Sequence, residues 1–385
     1  AAATSVIAAV PSDGLVMASR SPNSNNSNTL PYIAQEITKD PEQTIAATVE
    51  RVMGKITVTA GGTNASSAAT ANKYTSFSTT VTAIGNITDI TLKNYYVVNA
   101  RKEGYYFRHV DKESSATNPL TEANYGNSSA TLPYVTDPKT YNKTYTSTPA
   151  LANSYGDWYL QGSSAFGLSS FGTFSGTYMD MPGYSSGAVE TKVAAYCYEN
   201  TMLKDKQKNG YTTGIVFKAE IAPSKMMQKK SSGDGVEETT IIGSIGEIFY
   251  HSGIFYKDIE ALKAAGVLLA DGTTSSSASG ALTDLKKNDV QCFLKGNTDG
   301  KFICYYPYWI KHLPSDTAED VMEFGIVRNN VYQVTVTGIQ GVGKDGVTED
   351  IITDTETDDP TTVLLNVKLS IKPWVVRANS AVLGR

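Results

Sequence analysis

The sequence predicts a mainly all-β protein, and three observations carry that prediction. The first is the closing stretch TTVLLNVKLSIKPWVVRANSAVLGR, residues 361–385. There Val363, Leu365, Val367, Leu369 and Ile371 alternate with Leu364, Asn366, Lys368, Ser370 and Lys372. A period of two sets those branched apolar side chains on one face of an extended strand. The second is composition. Charged residues make up 18% of the chain, and polarity comes instead from Ser, Thr, Asn, Gly and 23 Tyr. Thr and Tyr suit strands, while Ser, Asn and Gly suit turns. The third is that helical spacing is confined to one place, Lys257 to about Leu269, where Ile259, Leu262 and Ala265 recur every three or four residues.

At 385 residues the chain has room for two domains, or for one large β domain with an appendage, and 41% hydrophobic residues suffice for a core. A formal charge of -5 sets aside nucleic acid as a partner, because basic runs such as Lys229-Lys230 and Lys286-Lys287 are too short to neutralise a phosphate backbone. No apolar run is long enough to span a membrane as a helix. The composition suits an extracellular protein. The chain opens at Ala1 with neither an initiator Met nor a signal peptide, as expected of an exported protein whose leader has been removed. Cys197, Cys292 and Cys304 give no disulfide framework and no CxxC spacing. The apolar settings of Cys197 and Cys304 mark them as small core residues, with one pairing among the three left open.

Taken in order, SVIAAV and LVMAS flank a turn at Pro11–Gly14, and a Ser/Asn-rich loop follows from Ser21 to Thr29. A firm strand runs from Thr44 to Ala60, with a bulge expected near Gly54. Residues 61–73, GGTNASSAATANK, are small and polar, the composition of a linker, and a domain boundary is expected there. Two strands broken at Gly85-Asn86 come next, then EGYYFRHV. From Asp111 to Met181 the chain is rich in Ser, Thr, Asn, Gly and Tyr, a length that calls for short strands or functional surface. Strands resume at VETKVAAYCYEN and YTTGIVFKAEIAP, and EIFYHSGIFYK reads as a hairpin turning near Gly253. After the single helix, GKFICYYPYWIKH and GIVRNNVYQVTVTGIQ are strand-like, and an acidic loop from Glu349 to Asp359 leads into the terminal strand.

No motif carries catalysis. GIQGVGKD, Gly338 to Asp345, has the spacing of a phosphate-binding loop. Asp345, however, replaces the magnesium-holding Ser or Thr, and no helix follows to aim amides at phosphate. The acidic run lacks the spaced pattern of a calcium loop, and His109, His251 and His312 share no metal spacing. There is no GxSxG elbow. The aromatic run Tyr305–Ile310 reads as a packed strand before a sugar platform. The expectation is a protein that is not an enzyme, with no cofactor, no metal and no catalytic residue.

The order of TVERVMGKITV, GNITDITLKNYYVVNA, GKFICYYPYWIKH, MEFGIVRNNVYQVTVTGIQGVG and LLNVKLSIKPWVV resembles the fimbrillins of Bacteroidales, most of all the Mfa-type major fimbrial subunit, a type V pilus pilin. Tyr308, Trp309, Arg328, Asn329, Asn330 and Tyr332 carry that resemblance. It implies two β-sandwich-like (transthyretin-like) domains with one or two short helices. Here residues 1–60 would be a reduced N-terminal β domain, 61–73 the linker, and 74–385 a C-terminal sandwich ending in a polymerisation strand. It also implies export as a lipoprotein, trimming by a protease that cuts after arginine, and a cell-surface location in the fimbrium. Partners would be further copies of the chain, anchor and tip proteins, and a host or bacterial surface ligand. The role implied is that of a shaft subunit joined by donor-strand exchange. A tip or accessory adhesin of the same family, or a secreted carbohydrate-binding β protein, is the alternative. The resemblance places the polymerising role on Val363, Leu365, Val367, Leu369 and Ile371, continued by Trp374, Val376, Ala378, Val382 and Leu383. Burying five such side chains at about 1.5 to 3 kcal/mol each would yield roughly 8 to 15 kcal/mol before ordering costs.

Overall fold

The computed structural model describes residues 17–19, 44–62, 64–75, 87–101, 103–106, 109–112, 133–138, 179–201, 207–241, 245–268, 285, 287–297, 299–312, 323–346, 364–373 and 378–382. Among these, β1 (Met17–Ser19) pairs antiparallel with β2 (Thr44–Arg51). The chain then bends at Val52 and continues as β3 (Met53–Thr59), which belongs to a different sheet. The interruption expected near Gly54 thus falls two residues earlier. Gly54 itself is an ordinary strand position, but a Cβ there would come within 2.6 Å of the Ile326 side chain and 3.3 Å of the Val327 carbonyl, so the packing of that segment over β3 favours glycine.

After β4 (Lys73–Tyr74) comes the long β5 (Ile87–Val98), then the pair β6 (His109–Lys112) and β7 (Pro133–Thr136). Short pieces β8 (Met179–Asp180), β9 (Tyr184–Ser185) and β10 (Ala188–Val189) lead into β11 (Thr191–Tyr198) and β12 (Gly214–Pro223). Next are β13 (Lys225–Lys229), β14 (Val236–Thr240), β15 (Glu247–His251) and β16 (Ile254–Tyr256). Ser252 and Gly253 both take positive φ, 46° and 90°, which is the tight hairpin turn read from the sequence. Helix α1 (Ile259–Ala264) starts on Asp258, whose Oδ1 accepts from Ala261 N at 2.8 Å. It is shorter than its periodicity predicts, because the chain turns away at Gly266, where φ is 75°. The last strands are β17 (Gln291–Leu294), β18 (Phe302–Trp309), β19 (Asn330–Ile339), β20 (Leu365–Pro373) and β21 (Ala378–Val382).

Two sheets enclose the main core. One has the order β11-β3-β19-β20, with β3 and β19 parallel, and the other β18-β12-β5-β4. Ile56, Val58, Tyr332, Val334 and Val336 from the first meet Ile90, Leu92, Phe217, Ile221, Phe302 and Tyr306 from the second in one buried cluster. A third sheet, β14-β13-β16-β15-β17, packs with α1 over a smaller core containing Phe249, Leu262 and Cys292. Residues 61–73 do not separate bodies at the level of strand pairing. β3 precedes them, β11, β19 and β20 follow them, and all four share a sheet. The change of sheet along the chain lies at Val52. Asn72 ties the loop down, accepting from Gly61 N at 3.0 Å and donating to Pro182 O at 2.7 Å.

Cys197, Cys292 and Cys304 are free and buried, and burial pushes the thiols of Cys197 and Cys304 up to about 12. Tyr305–Ile310 is a packed strand: Tyr305, Tyr306, Tyr308, Trp309 and Ile310 are all buried. A Cβ on Gly214 would lie 2.3 Å from the Trp309 ring, so the indole lies directly against that backbone. The glycine-rich stretch after β19 has its polar groups engaged. Lys344 and Tyr305 exchange backbone bonds at 2.8 Å, and Asp345 Oδ2 accepts from Cys292 N at 2.9 Å. No helix among the described residues is long and apolar enough to cross a membrane.

Candidate assembly edge

Among the described residues, strand β20 lies at one end of its sheet and pairs only with β19, antiparallel, from Asn330↔Pro373 to Ile339↔Leu365. The register sets Tyr332 opposite Ile371, Val334 opposite Leu369 and Val336 opposite Val367. On β19 these side chains are closed off, at 0%, 0% and 1% exposure. On β20 only Leu365, at 2%, is buried to that degree, while Val367, Leu369 and Ile371 are half-buried against the main core. Their neighbours Asn366, Lys368 and Lys372 are exposed, so the alternation in the sequence does sort the strand into two faces. What sequence does not reveal is that the apolar face is covered at its Leu365 end and only partly covered toward Pro373. An edge strand has one flank of backbone donors and acceptors without a ladder partner.

Beyond Pro373, β21 crosses to the small sheet β1-β2-β21 and pairs antiparallel with β2, Thr44↔Val382 to Thr48↔Ala378. Ala378 and Val382 are therefore placed on β2, whereas Val363, Trp374, Val376 and Leu383 lie outside the described residues. The same holds for the acidic loop, Glu349 to Asp359.

The six motif residues form two groups. Tyr308 and Trp309 are buried on β18, far from any surface role. Arg328, Asn329, Asn330 and Tyr332 build the turn entering β19, which also receives the chain at its change of sheet. Arg328 is fully buried. Its guanidinium meets Glu199 Oε2 at 2.7 Å and Glu50 Oε1 at 3.9 Å, and donates to the carbonyls of Tyr105 and Tyr106 at 2.7 and 2.8 Å. Asn329 takes the left-handed conformation, φ 57°. Its N–H donates to Met53 O at 2.8 Å, and its Oδ1 accepts from Arg51 N at 3.4 Å. Asn330 donates to Arg328 O at 3.0 Å, closing the turn. The buried hydroxyl of Tyr332 accepts from Val327 N at 2.7 Å and lies 2.7 Å from His312 Nδ1. These residues pin the end of β2 and the start of β3 onto β19. A buried charge of this kind holds only when its partners are all in place.

No curated protein matches the chain. Among solved structures, a candidate cell adhesion protein from Parabacteroides distasonis aligns over 86% of this chain and 60% of its own, at 13% identity and a TM-score of 0.31. A fimbrilin from Porphyromonas gingivalis W83 aligns over 85% of this chain and 59% of its own, at 17% identity and a TM-score of 0.28. A candidate cell adhesion protein from Bacteroides eggerthii aligns over 85% and 57%, at 13% identity and a TM-score of 0.25. The chain thus spans about 60% of the length of the solved structures it matches. Residues 299–380, which contain β18, β19, β20 and the start of β21, match the model of the family described as Major fimbrial subunit protein type IV, Fimbrillin, C-terminal, the family that the sequence motifs also resemble.

Proposed function

We propose that the chain is a structural subunit of a cell-surface fimbria, in its shaft, and that it polymerises by donor-strand exchange after an N-terminal strand has been removed by proteolysis. One observation carries the reading. Val367, Leu369 and Ile371 form an inward apolar row on an edge strand, yet their own sandwich covers them only in part. An added strand from another copy would complete the ladder along that flank and cover the row at once. Such a contact, repeated head to tail, does not close and gives a filament. In this reading β20 stays in its own sheet, and the tail after Pro373, whose β21 pairs with β2 in the single chain, leaves that strand to reach the neighbour. Anchor and tip subunits, a surface ligand and lipoprotein export belong to the same proposal. The packed state of Tyr305–Ile310 removes that run from any sugar-binding alternative.

Negative-stain imaging of the purified, protease-treated chain tests the proposal. Removing residues 374–385 should abolish filaments while the monomer keeps its cooperative melt, because β20 and its ladder remain. Removing 361–385 takes away β20 as well and should lower the melting temperature. Filaments that persist without residues 374–385 would sink donor-strand exchange through this tail.

A further inference from the structure

We propose that His312, Tyr332 and the Val327 amide form a proton-operated latch, which holds the Arg328 turn, and with it the end of β2, closed only while His312 is neutral. The case begins with hydrogen counting. Val327 N–H donates to Tyr332 Oη at 2.7 Å, so the phenol's own hydrogen is free to point elsewhere. The other polar atom at that oxygen among the described residues is His312 Nδ1, 2.7 Å away. Tyr332 is therefore the donor and the imidazole nitrogen the acceptor, which requires an unprotonated Nδ1. A proton on Nδ1 sets two donors, Val327 N–H and Nδ1–H, against one phenol oxygen. The oxygen can accept both, but its own hydrogen is then left without an acceptor among the described residues, in a site with 0% exposure at Tyr332, and the closed arrangement is weakened.

Among the described residues, the surroundings offer the imidazolium little relief. Tyr332 packs on His312 with ring centroids 5.9 Å apart. The neighbouring carboxylate Glu323 is bound to Lys311 at 2.7 Å, and gives His312 only its backbone carbonyl, which accepts from His312 N. Glu199, on the far side of Tyr332, is held by Arg328. Burial agrees, lowering the His312 value from 6.5 to about 4. The ring is half-buried, so protons still reach it.

Val327 immediately precedes Arg328, and what opens with the latch follows from that. Arg328 holds Glu50 of β2, and Asn329 holds Met53 O and Arg51 N, so a loosened Val327 frees the joint where the chain changes sheet. The sign follows from linkage. A histidine with a depressed value in the closed form leaves stability unchanged above about 6.5, and stability falls as pH drops from there toward 4. Opening at pH 4.5 should exceed opening at neutral pH by on the order of fiftyfold to a hundredfold. The latch operates whether or not the chain polymerises.

Hydrogen exchange of the Val327 amide, expressed as a protection factor to remove the intrinsic pH dependence, reads the latch in the full chain. Protection should fall by that factor between pH 7.5 and 4.5, and His312→Gln, which keeps an acceptor but cannot take a proton, should flatten the fall. Equal protection at both pH values, or a fall that persists in H312Q, overturns the proposal. If H312Q does not fold, an NMR titration of the three histidines in the unaltered chain decides. A His312 ring that titrates near 4 together with the Val327 amide shift supports the latch, and one that titrates near 6.5 removes it.

Discussion

Strands β19 and β20 run side by side, share one ladder and show the same alternation, yet they have different fates. β19 has a partner on each flank, β3 on one and β20 on the other, and its inner row of Tyr332, Val334 and Val336 is sealed. Among the described residues β20 has one partner, and its inner row is only partly covered from Val367 onward. The polar ends of the two strands differ as well. β19 begins in a buried salt-bridged turn, whereas β20 ends in exposed Lys372 and Pro373. The comparison separates two uses of one pattern. An alternating strand in the middle of a sheet has its apolar row fully covered, and the same pattern at the edge leaves that row only partly covered.

The largest break in that comparison should come at Arg328. Arg328→Met leaves Glu199 buried without its 2.7 Å partner and removes the bonds to the Tyr105 and Tyr106 carbonyls. Removing one member of a buried ion pair costs about 3–5 kcal/mol. Urea unfolding of R328M should show a loss of that size, together with faster proteolysis around Arg51, since the turn holding that residue depends on the guanidinium. A loss below about 1 kcal/mol would mean that the turn is not what anchors the start of β19.

Tyr332→Phe should come next. The ring stays in its buried site, but the Val327 amide and His312 Nδ1 lose their common partner. An unpaired buried donor costs about 1–3 kcal/mol. The unfolding midpoint should move without a change in slope, because the surface exposed on unfolding is nearly the same.

How far the sequence foretold this architecture depends on whether the signal is local. Alternation marks β20, and the hairpin turn near Gly253 is announced by its residues, because side-chain period and turn chemistry are written within a few residues. The end of α1 was not given by its apolar spacing, which runs on to about Leu269, whereas the helix stops at Ala264 and the chain turns away at Gly266. The change of sheet at Val52 was not legible either, since a valine between Arg51 and Met53 carries no turn signal and the bend is enforced by Asn329 reaching across from another strand. In the sequence Arg328 stands out only as part of a motif. Its carboxylate partner Glu199 is 129 positions away, and no spacing rule connects them. The partial cover of Val367, Leu369 and Ile371 was hidden for a related reason. Whether a strand is an edge depends on which other strands claim its flanks, a property of the whole sheet.

The smallest effect is also the sharpest test of the comparison, because it uses one substitution at two facing positions. Val336 and Val367 are cross-strand partners on the same inner face, the first 1% exposed and the second half-buried. Val336→Ala removes methyl groups from a closed core, and a loss of about 2 kcal/mol is expected. Val367→Ala removes the same groups from a row that water already reaches, and the loss should stay below about 1 kcal/mol, since the transfer contribution scales with the area covered and the space can be refilled by solvent. Denaturant titrations of the two monomers should preserve that order. In assembled filaments, if a neighbour's strand lies over β20, Val367 becomes as enclosed as Val336 and the gap between the two variants should close. Filament disassembly measured for both variants would then show comparable losses. A gap that stays as wide in filaments as in monomers would mean that the β20 row remains open to water after assembly, and that the subunits join elsewhere.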